Sequence, residues 1–281
     1  MIGFAVLIHH HLCVSTSLPA THPLCAPQFI RPTAYAYKDS RHRSKPYNEL
    51  PGPLYRPPQP IGLFQNFIDH QQPVVVAVHR NHYRYLTDGD KYTIMDAITG
   101  STVITLTFKW TTSLPREIRD AYQRPIFRLK MKSLSSTQTF NALTPDGGDH
   151  IMFSVRNNSG FLSTRIALSF VNPVDGRHTE ITLEDSSGKG SAMNYKGVFI
   201  LSSEPSRPVL GFVTPKPPTL IQEGPASTAM REKKRNKSYY VSIAPGVDGL
   251  LLTTMCLIVD EIKAITEASE AGAEAAAAAS G

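Results

Sequence analysis

The residues with the clearest potential for chemistry in this chain of 281 residues form a basic cluster in its C-terminal part. Five cations fall within residues 231–237: Arg231, Lys233, Lys234, Arg235 and Lys237. Clustered cations beside Tyr239 and Tyr240 can dock on an anionic membrane surface or on nucleic acid, and a nuclear-import signal uses the same composition. A solvated charged loop without a binding role is the alternative.

A second group of cations alternates with apolar residues between positions 127 and 132. The apolar face of this predicted strand consists of Phe127, Leu129 and Met131. The opposite face consists of Arg128, Lys130 and Lys132. Because successive side chains of a strand point to opposite faces, a barrel that buries the apolar face turns these cations outward. Outward cations bind anionic partners or are simply solvated, and both alternatives stay open.

No group of residues has the spacing of an enzyme site. The segment 187–191 resembles a phosphate-binding loop, but it lacks the upstream glycine and the Ser or Thr directly after Lys189, so a hairpin turn is predicted. The pair His79 and His82 and the acidic turn at 146–150 have no nucleophile at a recognisable spacing, and we expect solvated loop positions. We therefore predict no catalytic residue, no cofactor and no metal site.

The composition indicates the class of protein but says little about its function. The chain is 41% hydrophobic and 19% charged, which is typical of a globular protein, and its net charge of +6 favours anionic partners. Cys13, Cys25 and Cys256 show no paired spacing, so neither a disulfide framework nor a zinc site is indicated, and a reducing intracellular compartment fits. The apolar residues 1–8 lack a basic region before them, so no secretory signal is predicted.

Short runs of alternating apolar and polar residues fill the middle of the chain. In the run 103–110, one face carries Ile104, Leu106, Phe108 and Trp110. The same alternation recurs at 127–131, 151–155, 166–170, 181–183 and 241–243. Turn signals such as those at 99–100, 146–148 and 175–176 separate the runs. Short strands with this spacing of turns favour a meandering antiparallel sheet that closes on itself.

The residues from Gly249 to Ile265 predict a helix that has no polar face. Its first half, from Leu250 to Val259, is apolar all round, and such a helix must be buried on every side. The run is about half the ~20 residues that a membrane span needs, so no transmembrane span is predicted. Asp248 suits the N-cap of this helix. The simplest place to bury it is the interior of the closed sheet.

Both ends of the chain differ from the middle. Residues 1–60 contain ten of the 22 prolines together with His9, His10 and His11, and this composition predicts a disordered Pro/His-rich extension. We expect the barrel domain at 61–267, with a basic loop at 217–237 inside it. Residues 268–281 form an Ala-rich tail that can extend the last helix but has no apolar face to dock it.

Two segments resemble a known family. Residues 92–103 look like its opening hairpin, and residues 240–248, followed by the buried helix, look like its closing signature. The family is the LURP-one-related proteins, which share the tubby C-terminal-like superfamily with tubby proteins and phospholipid scramblases. The resemblance implies a mainly β fold, a closed antiparallel barrel of about twelve strands around a central hydrophobic C-terminal helix. Tubby domains imply phosphoinositide binding through basic residues on the barrel surface.

These observations favour a non-enzymatic binding or scaffold module that recognises anionic phospholipid headgroups or a protein partner. An intracellular enzyme with an unrecognised site is one alternative, and a nucleic-acid-associated protein that uses the basic loop is another. Only Tyr239 and Tyr240 lie near the cations, so nucleic acid is the less favoured partner. We expect a cytoplasmic location, with attachment to a membrane surface or nuclear import as the variants that the basic loop allows.

Overall fold

The protein is a closed antiparallel β-barrel of twelve strands with a helix in its interior. A computed structural model describes residues 54–81, 90–108, 115–132, 137–158, 165–185, 196–218 and 238–280. The strands are β1 (Val74–Asn81), β2 (Asp90–Asp96), β3 (Thr102–Phe108), β4 (Arg116–Asp120), β5 (Pro125–Met131), β6 (Thr139–Leu143), β7 (Ile151–Asn157), β8 (Arg165–Val171), β9 (His178–Asp185), β10 (Gly197–Leu201), β11 (Val209–Thr214) and β12 (Ser238–Ile243). The helix, α1, spans Gly249–Ser280.

The barrel closes because the first strand pairs with the last. Every other strand pairs with its neighbour in the sequence, so the connections form a simple meander. In the closing pair, Ala77 lies opposite Tyr240 and Val75 opposite Ser242. Closure leaves no row of unpaired backbone groups at a sheet edge. The predicted fold class, including about twelve strands and the C-terminal helix, is confirmed.

The barrel interior is filled by the inward side chains of the strands and by the first half of α1. Every residue from Leu250 to Val259 is buried, as the sequence predicts for a helix with no polar face. Two polar residues within this stretch bond to the helix itself. The Thr253 hydroxyl donates to the Gly249 carbonyl at 2.6 Å, and the Thr254 hydroxyl donates to the Leu250 carbonyl at 2.7 Å. Because these hydroxyls are satisfied internally, they can sit in an apolar core.

The second half of α1 leaves the barrel. Residues 271–278 are exposed, and the helix continues through the Ala-rich tail to Ser280. Alanine has the highest helix propensity, which explains why a helix persists there without tertiary packing.

A segment before β1, residues 54–72, lies across one end of the barrel; we call it the strap. The Tyr55 N–H donates to the Val209 carbonyl at 2.9 Å, and the Ile61 N–H donates to the Gly246 carbonyl at 2.9 Å. Leu54 and Tyr55 pack against the core, so contacts with the barrel begin before the boundary predicted at residue 61. Residues 1–53 lie outside the described part of the chain, and their predicted disorder stays a prediction.

Candidate functional site

The two ends of the barrel differ in how they connect the strands. At the end where α1 begins, turns at 97–101, 121–124, 144–150, 172–177 and 202–208 link neighbouring strands. We call this the turn end. At the opposite end, where α1 leaves beside Glu261, strands end at the segments 82–89, 109–114, 133–136, 159–164, 186–195 and 219–237, all outside the described residues. We call this the exit end.

The cations predicted on β5 do not form one uniform group. Phe127 and Leu129 are buried, so Arg128, Lys130 and Lys132 lie on the outer side of the barrel or just beyond the strand, as the alternation predicts. The Arg128 Nε donates to the Thr144 carbonyl at 3.0 Å and its Nη2 donates to the Gly148 carbonyl at 2.6 Å. These bonds tie Arg128 to the turn between β6 and β7. Its guanidinium is therefore largely committed to the fold.

Lys130 and Lys132 remain exposed. The Lys130 Nζ lies 4.0 Å from Asp149 Oδ1, with both side chains at least half exposed, so water screens this pair strongly. The backbone N–H of Lys132 donates to the Thr139 carbonyl at 2.8 Å, which places Lys132 at the exit end of β5. These two lysines are the part of the predicted β5 cluster that faces solvent.

A cation that the sequence analysis did not single out joins them. Arg156 on β7 is exposed and pairs across the sheet with Thr139, the residue whose carbonyl Lys132 binds. On the same outer surface, the Ser154 hydroxyl donates to the Asn141 Oδ1 at 2.9 Å. The alternation at 151–155 already placed Arg156 outward, but a lone arginine carries no clustering signal in sequence. Only the strand pairing brings it to Lys132.

The basic cluster Arg231, Lys233, Lys234, Arg235 and Lys237 lies outside the described residues. The chain resumes at Ser238, the first residue of β12. Ser238 Oγ lies 2.8 Å from His79 Nδ1, and Ser238 pairs with His79 at the exit end of β1. His79 is thus a buried strand residue and not the solvated loop position that the sequence suggested. Lys237 is bonded to Ser238, so this cluster joins the barrel at the same end as Lys132 and Arg156.

Inside the exit end, polar side chains surround α1 as it leaves the core. The Tyr239 hydroxyl donates to Asp260 Oδ2 at 3.2 Å, and Arg116 forms a salt bridge with Glu261. The Arg80 guanidinium lies over the Tyr92 ring, 5.7 Å from its centre. These contacts close the barrel around the helix with paired charges.

The one cysteine of the described residues is not a nucleophile. Burial, and secondarily the charge of Asp260, raise the pKa of the Cys256 thiol well above its ordinary value. A thiol that stays protonated in an apolar core is unreactive.

The acidic turn at 144–150, at the turn end, forms hydrogen bonds within itself. The Thr144 hydroxyl, donating at 2.6 Å, and the Gly148 N–H hold the pKa of Asp146 below its ordinary value. Among the described residues, no group of three or more His, Cys, Asp and Glu side chains could hold a metal ion. No helix in the same part of the chain is both long and apolar enough to cross a membrane.

Asp248 organises the turn end. Its Oδ1 accepts from the backbone N–H groups of Leu250 at 2.9 Å and Leu251 at 3.3 Å, which confirms the predicted N-cap of α1. Its Oδ2 accepts from the N–H groups of Leu63 at 3.0 Å and Phe64 at 2.8 Å in the strap. Burial raises the pKa of Asp248 to about 6, although the four N–H donors act in the opposite direction.

Comparisons with known proteins found two similarities. The family model described as LURP-one-related matches residues 77–213, a region that begins in β1 and ends in β11. An X-ray structure of a protein from Arabidopsis thaliana is 14% identical, covers 70% of this chain and 95% of that chain, and gives a TM-score of 0.44. No curated protein matches the chain. The barrel around a C-terminal helix is consistent with the tubby-like superfamily, and the chain is similar to the LURP-one-related family over residues 77–213.

Proposed function

We propose that this protein is a non-enzymatic binding module that uses the exit end of its barrel to contact an anionic surface, with phospholipid headgroups of a membrane as the ligand. The observation that carries the proposal is the convergence of cations at one end. Exposed Lys130 and Lys132 lie in the exit half of β5 or just beyond it, with the Lys130 ammonium near Asp149 of a turn at the other end, and exposed Arg156 lies on β7 with β6 in between. The basic cluster at 231–237 precedes Ser238, which begins β12 at the exit end on the opposite side of the barrel. An acidic protein partner is the second candidate, because the same cations would recognise carboxylates.

The sequence of the connecting segments adds aromatic side chains to these cations. The six segments that meet the exit end hold eight cations, five of them in the basic cluster, and three acidic residues, and they include Tyr83, Tyr85, Trp110 and Phe161. Binding residues often lie on loops that a rigid scaffold positions. Aromatic side chains suit the boundary between headgroups and acyl chains.

Micromolar binding to a membrane requires that both groups of cations act together. Each cation near an anionic membrane contributes about 1 kcal/mol, so Lys130, Lys132 and Arg156 together supply about 3 kcal/mol. A micromolar dissociation constant corresponds to about 8 kcal/mol. The five cations of residues 231–237 can supply most of the remainder.

Sedimentation with anionic vesicles tests the proposal. We expect wild-type binding to vesicles containing phosphoinositide to fall steeply between about 0.05 and 0.3 M salt, because the Debye length shrinks below about 10 Å. The variant Lys130→Gln/Lys132→Gln should bind more weakly by roughly tenfold or more. The matched control is Arg124→Gln/Arg177→Gln, which removes two exposed cations from the turn end and should bind like the wild type.

Changing Lys233, Lys234 and Arg235 together to alanine tests the other group. Binding should drop further than in the β5 double variant, with the melting temperature unchanged. If no variant differs from the control, or if the wild type does not sediment with the vesicles, lipid recognition is wrong. Binding of an acidic protein lost in the same variants would then favour the partner-protein role.

A further inference from the structure

The large hydrophobic side chains that remain exposed share one end of the barrel. Within the part of the chain that the structure describes, all five of them lie at the turn end: Ile98, Tyr122, Ile151, Val171 and Val174. Their exposed fractions range from 41% for Ile98 to 81% for Tyr122. Single exposed apolar residues are ordinary on a protein surface, but their confinement to one end indicates a contact surface. We call these five residues the rim.

The rim follows four consecutive connections around the barrel. Its residues lie in or next to the turns that join β2 to β3, β4 to β5, β6 to β7 and β8 to β9. The strap lies across the barrel mouth at this end, where the Phe64 ring stacks on the Phe127 ring with the ring centres 5.4 Å apart. Because the strap occupies the mouth, the rim and the strap together present a broad face, which suits a macromolecule better than a small ligand.

The turns that carry the rim are held in place by their own side chains. Asp96 Oδ1 accepts from the Ile98 N–H at 2.9 Å, and Asp120 Oδ1 accepts from the N–H groups of Tyr122 and Arg124, each at 2.9 Å. The Arg124 guanidinium lies 5.3 Å from the centre of the Tyr122 ring. A partner therefore meets side chains that are already positioned, which lowers the entropy cost of contact. Tyrosine and arginine are also the residue types that contribute most at protein interfaces.

The charges of the same turns indicate the kind of partner. Exposed Asp149 and Asp175 lie close to the rim in sequence, and exposed Arg177 belongs to the same turn as Asp175. Carboxylates beside the exposed apolar side chains are unfavourable on an anionic membrane, so a protein suits this end better than lipid. A surface that carries both signs is complementary to itself, because a two-fold axis can place the acidic groups of one copy opposite the basic groups of the other.

We propose that two copies of this chain associate through their turn ends, with the rim of one copy against the rim of the other. Such a contact uses the same surface on both copies, so assembly stops at a dimer. Because the exit end lies opposite the turn end, the dimer directs its two exit ends away from each other. One dimer would then link two anionic membranes, a consequence that rests on the proposed function, whereas the dimer itself does not.

Sedimentation velocity of the full-length chain without lipid tests the dimer. We expect the wild type to change from monomer to dimer between about 1 and 200 μM, the range of a contact of modest size. Tyr122→Ser/Val174→Ser changes two turns and should raise the dissociation constant of the dimer by at least about tenfold. Its melting temperature should stay unchanged, because both side chains are exposed.

A second rim variant and a control complete the comparison. Ile98→Ser/Ile151→Ser changes two other connections and should weaken the dimer in the same way, so the test does not depend on one variant folding. Lys132→Gln/Arg156→Gln at the exit end is the control and should dimerise like the wild type. A monomer throughout this concentration range, a dimer that both rim variants leave intact, or assemblies that grow beyond two copies would each overturn the inference.

The turbidity of anionic vesicles tests the direction of the two exit ends. The wild type should cluster the vesicles, whereas Tyr122→Ser/Val174→Ser should sediment with them like the wild type and cluster them far less. A dimer that binds vesicles without clustering them would overturn the opposed arrangement of the exit ends. A wild type that dimerises but does not bind vesicles would contradict the proposed function and support the dimer.

Discussion

At the scale of single residues, Asp248 joins two parts of the chain that are far apart in sequence. One carboxylate oxygen caps α1, and the other accepts from the backbone of Leu63 and Phe64 in the strap. Gly62 makes this approach possible, because a Cβ at that position would lie 2.2 Å from the Asp248 Cβ. The N-cap was predictable from the sequence. The link to the strap was not, because nothing in local spacing brings residue 62 to residue 248.

Replacing Asp248 should separate its two roles. Asp248→Ala removes the acceptor of four backbone N–H groups and should lower the free energy of unfolding by about 3–5 kcal/mol. Asp248→Asn keeps one acceptor oxygen and should lower it by less, about 1–2 kcal/mol. Urea unfolding at constant pH measures both. Equal losses in the two variants would mean that one oxygen contributes nothing.

The pKa of Asp248 predicts a pH dependence that the asparagine variant isolates. Because burial raises this pKa from 3.8 to about 6, the folded state holds the proton more tightly than the unfolded state. The contribution is fully present below pH 3.8 and is lost as the pH rises through about 6. The stability of the wild type relative to Asp248→Asn should therefore fall by up to about 3 kcal/mol across that range. A difference that grows with pH would show that the four N–H donors outweigh burial.

Substitution by alanine should have opposite effects on the free energy of unfolding at two glycines. A Cβ on Gly211 in β11 would lie 2.4 Å from the Ser242 carbonyl oxygen and 3.1 Å from Leu252 Cδ1, whereas a Cβ on Gly272 in α1 meets nothing within 4 Å. We expect Gly211→Ala to lower the free energy of unfolding by about 1–3 kcal/mol through overpacking. Gly272→Ala should leave it unchanged or raise it by up to about 1 kcal/mol through helix propensity. Thermal unfolding of the pair compares them directly, and an unchanged Gly211→Ala would contradict the tight packing of β11 against α1.

At the scale of secondary-structure elements, the alternation of apolar and polar residues predicts strands that are buried on one face. It misses strands that are buried on both faces. Alternation predicts β3, β5, β7, β8, β9 and β12. It misses β1 because the outward Ala77 is as buried as the inward Val78, so the run is apolar throughout. It misses β4 because Ile118 is its single fully buried residue. The number of strands followed from the family resemblance, and the pairing that brings Arg156 to Lys132 required the structure.

The two halves of α1 should contribute differently to the free energy of unfolding, and the boundary between them is the point where the helix leaves the barrel. Leu251 is fully buried in the core, so Leu251→Ala should lower the free energy of unfolding by about 2–5 kcal/mol. Ending the chain after Thr266 removes the exposed part of α1 and should change it by less than about 1 kcal/mol. Chemical denaturation of the two variants measures both changes in the free energy of unfolding. A large loss on truncation would show that the Ala-rich part of the helix packs on something in solution.

At the scale of the whole molecule, the meander sorts the chain into a turn end and an exit end. Short turns, the strap and the cap of α1 hold the turn end together. At the exit end, β12 begins directly after the basic cluster, and Lys132, Arg156 and the projecting half of α1 lie at the same end. A rigid barrel that gathers charge at one end has the geometry of a docking module. Composition favours an anionic partner, and our proposal that the exit end meets this partner rests on the topology.

Hydrogen exchange measured with and without anionic vesicles tests this polarity most directly. We expect added protection in peptides that cover 130–132, 156–158 and 231–237, and unchanged exchange in the turns at 121–124 and 172–177. Vesicles of neutral lipid should give no protection at either end, because the contact depends on charge. Protection confined to the turn end, or no difference between anionic and neutral vesicles, would contradict the proposed membrane contact.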